Sequence, residues 1–126
     1  MLTLTALLST IAIGETDMIV VTGATGHIGN VLVRELITRK QRVRALVLHG
    51  DDCRSLDGLD VEIAHGDVTN LASLESAFSG ADLVFHLAGI VTIMPNMAEV
   101  LQRVNVGGIR NVTAACRSAG VHRLVY

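Results

Sequence analysis

Along this chain, short apolar runs alternate with longer segments of helical spacing. The run MIVVT at 18–22 is uncharged and mostly β-branched, the pattern of a strand buried on both faces, and it stops at Gly23. From Gly26 onward Ile28, Val31, Leu32 and Leu36 recur at helical spacing, with Arg34, Glu35, Arg39 and Lys40 opposite. That predicts a helix of about three to four turns. Residues 43–48 predict a second strand and 60–64 a short third, separated by the polar stretch 49–58, whose Gly and Asp residues suit turns. A helix follows over about 70–78, with Leu71, Leu74 and Phe78 on one face, Thr69 or Asn70 as N-cap, and Gly80 placed to end it.

Residues 82–86 predict a fourth strand, and Leu87-Ala88-Gly89 follow it. Over 98–119, Val100, Leu101, Val104, Ile109, Val112, Ala115 and Cys116 keep helical spacing, and Gly120 stands at the C-terminal end. Gly107 and Gly108 interrupt this helix at about 1 kcal/mol each relative to alanine, which suggests close packing against another backbone. Residues 122–126 begin a fifth strand. Strands alternating with helices imply a parallel sheet with right-handed crossovers, so 18–126 is read as half or more of a doubly wound α/β domain, cut short at about its fifth strand. The stretch MLTLTALLSTIAI at 1–13 is shorter than the ~20 residues of a membrane span and lacks the basic start of a secretory signal. Residues 1–17 are therefore read as an N-terminal extension or a packed accessory segment. The alternation from Leu2 to Thr5 would allow an extra strand or no ordered element.

Composition narrows the class. With 126 residues, 50% hydrophobic and 17% charged, the chain can pack one core, which excludes intrinsic disorder and a second full domain. A net charge of -2 and three scattered aromatics argue against nucleic-acid binding. Cys53 and Cys116 stand far apart, which fits neither a disulfide framework nor a CxxC pair and makes a reducing cytoplasm the expected location. The histidines at 27, 49, 65, 86 and 122 show no metal-ligand spacing, so each is read as structural or surface and no metal site is expected.

The segment TGATGHIG at 22–29 carries the chemistry. Glycines at 23, 26 and 29 sit where a buried strand hands over to an amphipathic helix. One glycine permits the tight turn, one lets backbone approach a pyrophosphate, and one lets the helix sit close on the strand. The free N–H groups of the first helical turn, at the positive end of the helix dipole, then face phosphate charge. A nucleoside triphosphate fits less well, because the loop lacks the Gly-Lys-Ser/Thr ending that grips β- and γ-phosphates.

TGATGHIG, then GDVTN at 66–70, HLAG at 86–89, NVGGIRNVTAA at 105–115 and HRLVY at 122–126 together resemble the extended short-chain dehydrogenase/reductase family. The most similar branch comprises dihydroflavonol-reductase-like, 3β-hydroxysteroid-dehydrogenase-like and NAD-dependent epimerase/dehydratase proteins. The resemblance implies a Rossmann-type sheet, with Gly23, Thr25, Gly26, His27, Ile28 and Gly29 lining the pyrophosphate. It also implies that Asp67 and Val68 border the adenine and that Leu87, Ala88 and Gly89 line the cofactor cleft. Asn105 would lie in the long helix behind the active site. On the residues alone, Asp67 could equally shape a turn and Asn105 could satisfy a buried carbonyl.

An acidic residue ending the second strand would favour NAD, and an Arg there NADP. Here Leu48-His49-Gly50 satisfies neither rule, with Asp51 and Asp52 a little later, so the cofactor is left as NAD or NADP. The family's chemistry uses a Tyr with a Lys four residues on, plus a Ser or Thr. The sole Tyr is Tyr126 and the sole Lys is Lys40, so no Tyr-x-x-x-Lys occurs in this chain, and no catalytic residue is assigned. Two readings follow. In one, this is the cofactor-binding part of an extended reductase or epimerase, inactive alone, whose small-molecule substrate would be selected by a missing C-terminal part. In the other, it is a stand-alone dinucleotide-binding or sensor module without catalysis. A homo-oligomer is compatible with either.

Overall fold

A computed structural model describes residues 3–15 and 17–126. Five strands, β1 (Met18–Thr22), β2 (Arg42–Val47), β3 (Glu62–His65), β4 (Leu83–His86) and β5 (Arg123–Val125), form one wholly parallel sheet in the order β3-β2-β1-β4-β5. This is the expected Rossmann-type arrangement, in which the order reverses beside β1 and opens a crevice at the strands' C-terminal ends. β1 is buried at every position, because helices cover both faces of the central strand. The starts of three strands are tied together: Asp82 Oδ2 accepts from Met18 N at 2.8 Å, and Asp82 O accepts from His122 N at 2.9 Å.

The period of two along β1 divides the core. Ile19 and Val21 point to the face packed by α2 (His27–Thr38) with Leu32, Val33 and Leu36, whereas Val20 joins Leu74, Phe78, Val112 and Ala115 on the other. Those four come from α3 (Leu71–Ala77), its C-cap Phe78 and α5 (Gly107–Ala119). Residues Leu4–Thr10 form a helix, α1, capped by the Thr3 side chain, and Leu8 is buried in the α2-side core. A helix thus stands where the alternation at 2–5 suggested a strand; Leu2 lies outside the described residues. The Thr-Leu-Thr pattern is too short to outweigh the spacing of Leu4, Leu8 and Ile11, which turns one helical face onto the sheet.

Other expectations shift in detail. Ile28 and Val31 are 65% and 48% exposed, and the buried face of α2 is Gly29, Leu32, Val33 and Leu36. Contact at Gly29 sets that rotation, and the Ile28 side is left outside. Leu71 also faces outward, at 37% exposed, while Leu74 and Phe78 are buried. Asn70 is the N-cap of α3, its side chain accepting from Ser73 N. Gly120 ends α5 in the left-handed conformation at φ 70°. The long helix is not broken at its glycines: α4 (Ala98–Leu101) passes through a π turn at Gln102–Val106 into α5. Gly108 does mark a close approach, but to a side chain, since a Cβ there would meet Val68 Cγ2 at 3.0 Å.

Candidate functional site

The C-terminal ends of β1, β2 and β4 surround a cleft of about 430 Å³. Its first wall is the glycine turn. Gly23 leaves β1 at φ 67°, and a Cβ there would stand 2.8 Å from the backbone of Leu87 and Ala88, so only glycine lets the exits of β1 and β4 lie together. At Gly29 a Cβ would stand 2.0 Å from Gly23 O, so α2 can seat on the turn only without a side chain there. Gly26 N closes the turn on Gly23 O at 3.0 Å, and Gly26 itself caps α2 without a side-chain bond. The first N–H groups of a helix have no intrahelical partner, so a bare cap presents donors and positive dipole charge to the cleft.

A buried threonine joins this turn to β4. Thr22 Oγ1 accepts from Leu87 N at 3.0 Å and Ala88 N at 3.1 Å, and lies 2.8 Å from His86 Nδ1. With both acceptor directions taken, the hydroxyl proton goes to Nδ1, which makes His86 the neutral Nε2–H tautomer. Burial holds the imidazole of His86 below its usual pKa, in keeping with that neutral state.

On the far side, Asn105 braces the segment after β4 through both amide atoms: Ile90 N donates to Oδ1 and Nδ2 donates to Ile90 O, each at 2.9 Å. Asn105 therefore satisfies a half-buried backbone pair from the π turn, a position the sequence placed in the helix without naming its partner. The Asp67 corner is held likewise. Asp67 Oδ1 accepts from Thr69 N and Oγ1 at 2.8 and 2.7 Å, Ser73 Oγ accepts from Asp67 N, and Asn111 Nδ2 donates to Val68 O at 2.9 Å. One carboxylate oxygen of Asp67 thus shapes the turn, while the residue still lines the cleft beside Val68.

Of the residues singled out in sequence, Gly23, Thr25, Gly26, Asp67, Val68, Leu87, Ala88 and Gly89 stand on the wall. His27 and Ile28 are exposed on the first turn of α2, and Gly29 lies buried behind Gly23. Sequence reasoning missed Thr22, Asn111 and Arg103. A threonine ending an otherwise apolar strand and an asparagine beside Val112 on a buried helical face were the available signals for the first two. Arg103 reaches the cleft from the π turn and carried no periodic signal. Among the described residues no three His, Cys, Asp or Glu side chains gather as a metal site, and no helix is long and apolar enough to cross a membrane.

The sequence profile of the 3-beta hydroxysteroid dehydrogenase/isomerase family matches residues 20–126. The chain belongs to that family. It is similar to sterol demethylase protein B of Methylococcus capsulatus, 42% identical over 106 residues that cover 84% of this chain and 32% of that protein. Cinnamoyl-CoA reductase 1 of Oryza sativa subsp. japonica is 38% identical over 120 residues, covering 90% of this chain and 34% of that protein. A crystal structure of a short-chain dehydrogenase/reductase superfamily protein from Agrobacterium tumefaciens with bound NAD superposes with a TM-score of 0.72 at 32% identity, over 86% of this chain and 31% of that one. The chain spans about a third of the length of the curated relatives it matches.

Proposed function

We propose that the cleft binds a dinucleotide and that the chain is the NAD(P)-binding part of a reductase or epimerase acting on a carbonyl or hydroxyl substrate. The crowding at Gly23 and Gly29 carries this reading. With no room for a Cβ at Gly23 or Gly29, the turn brings its backbone, with the unpartnered N–H groups that start α2, against the space where a pyrophosphate would lie. Thr25 and Gly26 would hold that group, with the α2 terminus offsetting its charge. The free side of the Asp67 carboxylate would accept from the adenine amine, and Val68 would pack against its ring. Leu87, Ala88 and Gly89, fixed by Thr22 and Asn105, would carry the nicotinamide end along the exit of β4. When bound, the cofactor supplies the hydride that the family's chemistry exchanges with a substrate carbon. Within these residues the work is binding, orientation and exclusion of water from one flank. The NAD-bound relative of the same fold supports the reading.

The test separates fold from binding. Gly26 has an ordinary backbone, and a Cβ there would meet Gly23 O at 3.2 Å, a tight contact that the turn can absorb by a small shift, so Gly26→Val should lower the thermal midpoint by a few degrees and leave the chain folded. Its side chain would fill the anion's place, and titration with reduced dinucleotide, read by nicotinamide fluorescence, should show affinity lost at least about tenfold. Unchanged affinity in the folded variant would remove the proposal.

A further inference from the structure

The long helix after β4 brings a cation to the corner of the cleft at Val68. Because β4 and β5 are parallel, α5 runs back from the strands' C-terminal ends, and its start stands at the mouth of the cleft. Two contacts hold it there. Asn111 Nδ2 donates to Val68 O at 2.9 Å, and Gly108 leaves room for the Val68 side chain, which a Cβ would meet at 3.0 Å. One turn nearer the mouth, Val104 packs against the core cluster that holds Val68, and both residues line the cleft. Arg103, just before it, lines the cleft as well. The π turn at Gln102–Val106 is wider than an α-helical turn and advances less per residue, so neighbouring side chains address one side. Arg103 and Val104 meet the cleft while Asn105 clamps Ile90, which fixes the backbone that carries Arg103.

The guanidinium itself is not committed to the fold. Among the described residues Arg103 is exposed and has no hydrogen-bond or ion-pair partner, whereas Arg34, Arg39, Arg44 and Arg54 are each bonded. Asp67 lines the same cleft, but its Oδ1 is taken by Thr69 and no ion pair joins it to Arg103. A planar, weakly hydrated guanidinium stacks well on an aromatic face. The protein offers Arg103 no such face, since its aromatic side chains in this half, Phe78 and Phe85, are buried in the core.

We propose that Arg103 stacks on the adenine ring of the bound dinucleotide, covering the face that Val68 leaves open. This rests on the dinucleotide reading above and adds to it a positioning residue that neither the glycine turn nor the Asp67 corner supplies.

Titration of the full chain with NADH, read by nicotinamide fluorescence, and with ADP-ribose, read by calorimetry, tests it in the parent, Arg103→Leu and Arg103→Lys. Arg103→Leu should weaken both ligands about three- to tenfold, the range of a cation over an aromatic face, and leave the thermal midpoint at the parent's value. The loss should persist at raised ionic strength, and Arg103→Lys, which keeps the charge but not the plane, should recover only part of it. Unchanged affinity in Arg103→Leu overturns the role of Arg103 and leaves the dinucleotide site standing. A loss confined to NADH places the residue at the nicotinamide half, and one that salt abolishes or Arg103→Lys fully restores makes it a phosphate contact; each overturns the stacking assignment. Binding of neither ligand to the parent removes both proposals.

Discussion

The two walls of the cleft are built by opposite means. The wall from β1 and β4 is made of backbone: Gly23 and Gly29 have no room for a side chain, and the exit of β4 is held by Thr22 from one side and Asn105 from the other. The β2 wall is made of side chains on an exposed loop, where Leu48 and Asp51 face the cleft. At Gly23 and Gly29 in the first wall, binding and folding share the same atoms, so a change that spoils one spoils the other. The second can alter its chemistry while the fold stays as it is.

The strongest way to break that contrast is Gly29→Val. Its Cβ would lie 2.0 Å from Gly23 O, and the atom in the way is backbone, so α2 must lift from the turn. We expect a loss of about 3 kcal/mol or more in denaturant unfolding, together with loss of dinucleotide binding. Next, Thr22→Val keeps shape but strips the acceptor from two half-buried N–H groups and the donor from His86. About 2 kcal/mol should be lost, and the loop from Leu87 to Ile90 should gain hydrogen-exchange rate.

His86 makes the same wall sensitive to acid. Its folded-state pKa is lowered by burial, so its neutral form belongs to the fold and its contribution is complete above the ordinary imidazole value of ~6.5. As pH falls through that value the unfolded chain takes up a proton first, and stability declines until the lowered folded pKa is also passed. Thermal midpoints from pH 8 to pH 5 should fall for the parent more steeply than for His86→Asn. In the α5-side core, Cys116 is pushed up to about 11 by burial, so alkylation at pH 8 should label half-buried Cys53 well before Cys116. The smallest effect is expected on the β2 wall: Asp51→Asn should shift stability by no more than about 0.5 kcal/mol in denaturant unfolding.

Much of the fold was legible in sequence because the signals are local. An uncharged β-branched run, glycines at fixed spacing after it, Asn70 before a helix and Gly120 after one each act through φ, ψ and nearest neighbours, and all five strands appear where the alternation placed them. What the pattern misassigned depends on contacts across the chain. Ile28 and Val31 sit at helical spacing with the core residues, yet the approach of Gly29 to Gly23 turns them outward. Of the glycine pair at 107–108 only Gly108 makes a close approach, and its partner is the Val68 side chain rather than the backbone that the pair suggested. The π turn that delivers Asn105 to Ile90 left no mark in the periodicity.

By itself, then, the sequence determined an alternating α/β chain with a glycine turn fit for phosphate, and a chain in which Tyr126 and Lys40 cannot form Tyr-x-x-x-Lys. Those are statements about composition, spacing and local backbone freedom, which need no partner to be true. Only the tertiary structure decided that Thr22 ties β1 to the exit of β4, that α2 buries Leu32, Val33 and Leu36 and leaves Ile28 out, and that Asp51 returns to the glycine turn. Each of those depends on which distant backbone a side chain meets, and it is the crossing of β1, β2 and β4 in one sheet that sets those distances.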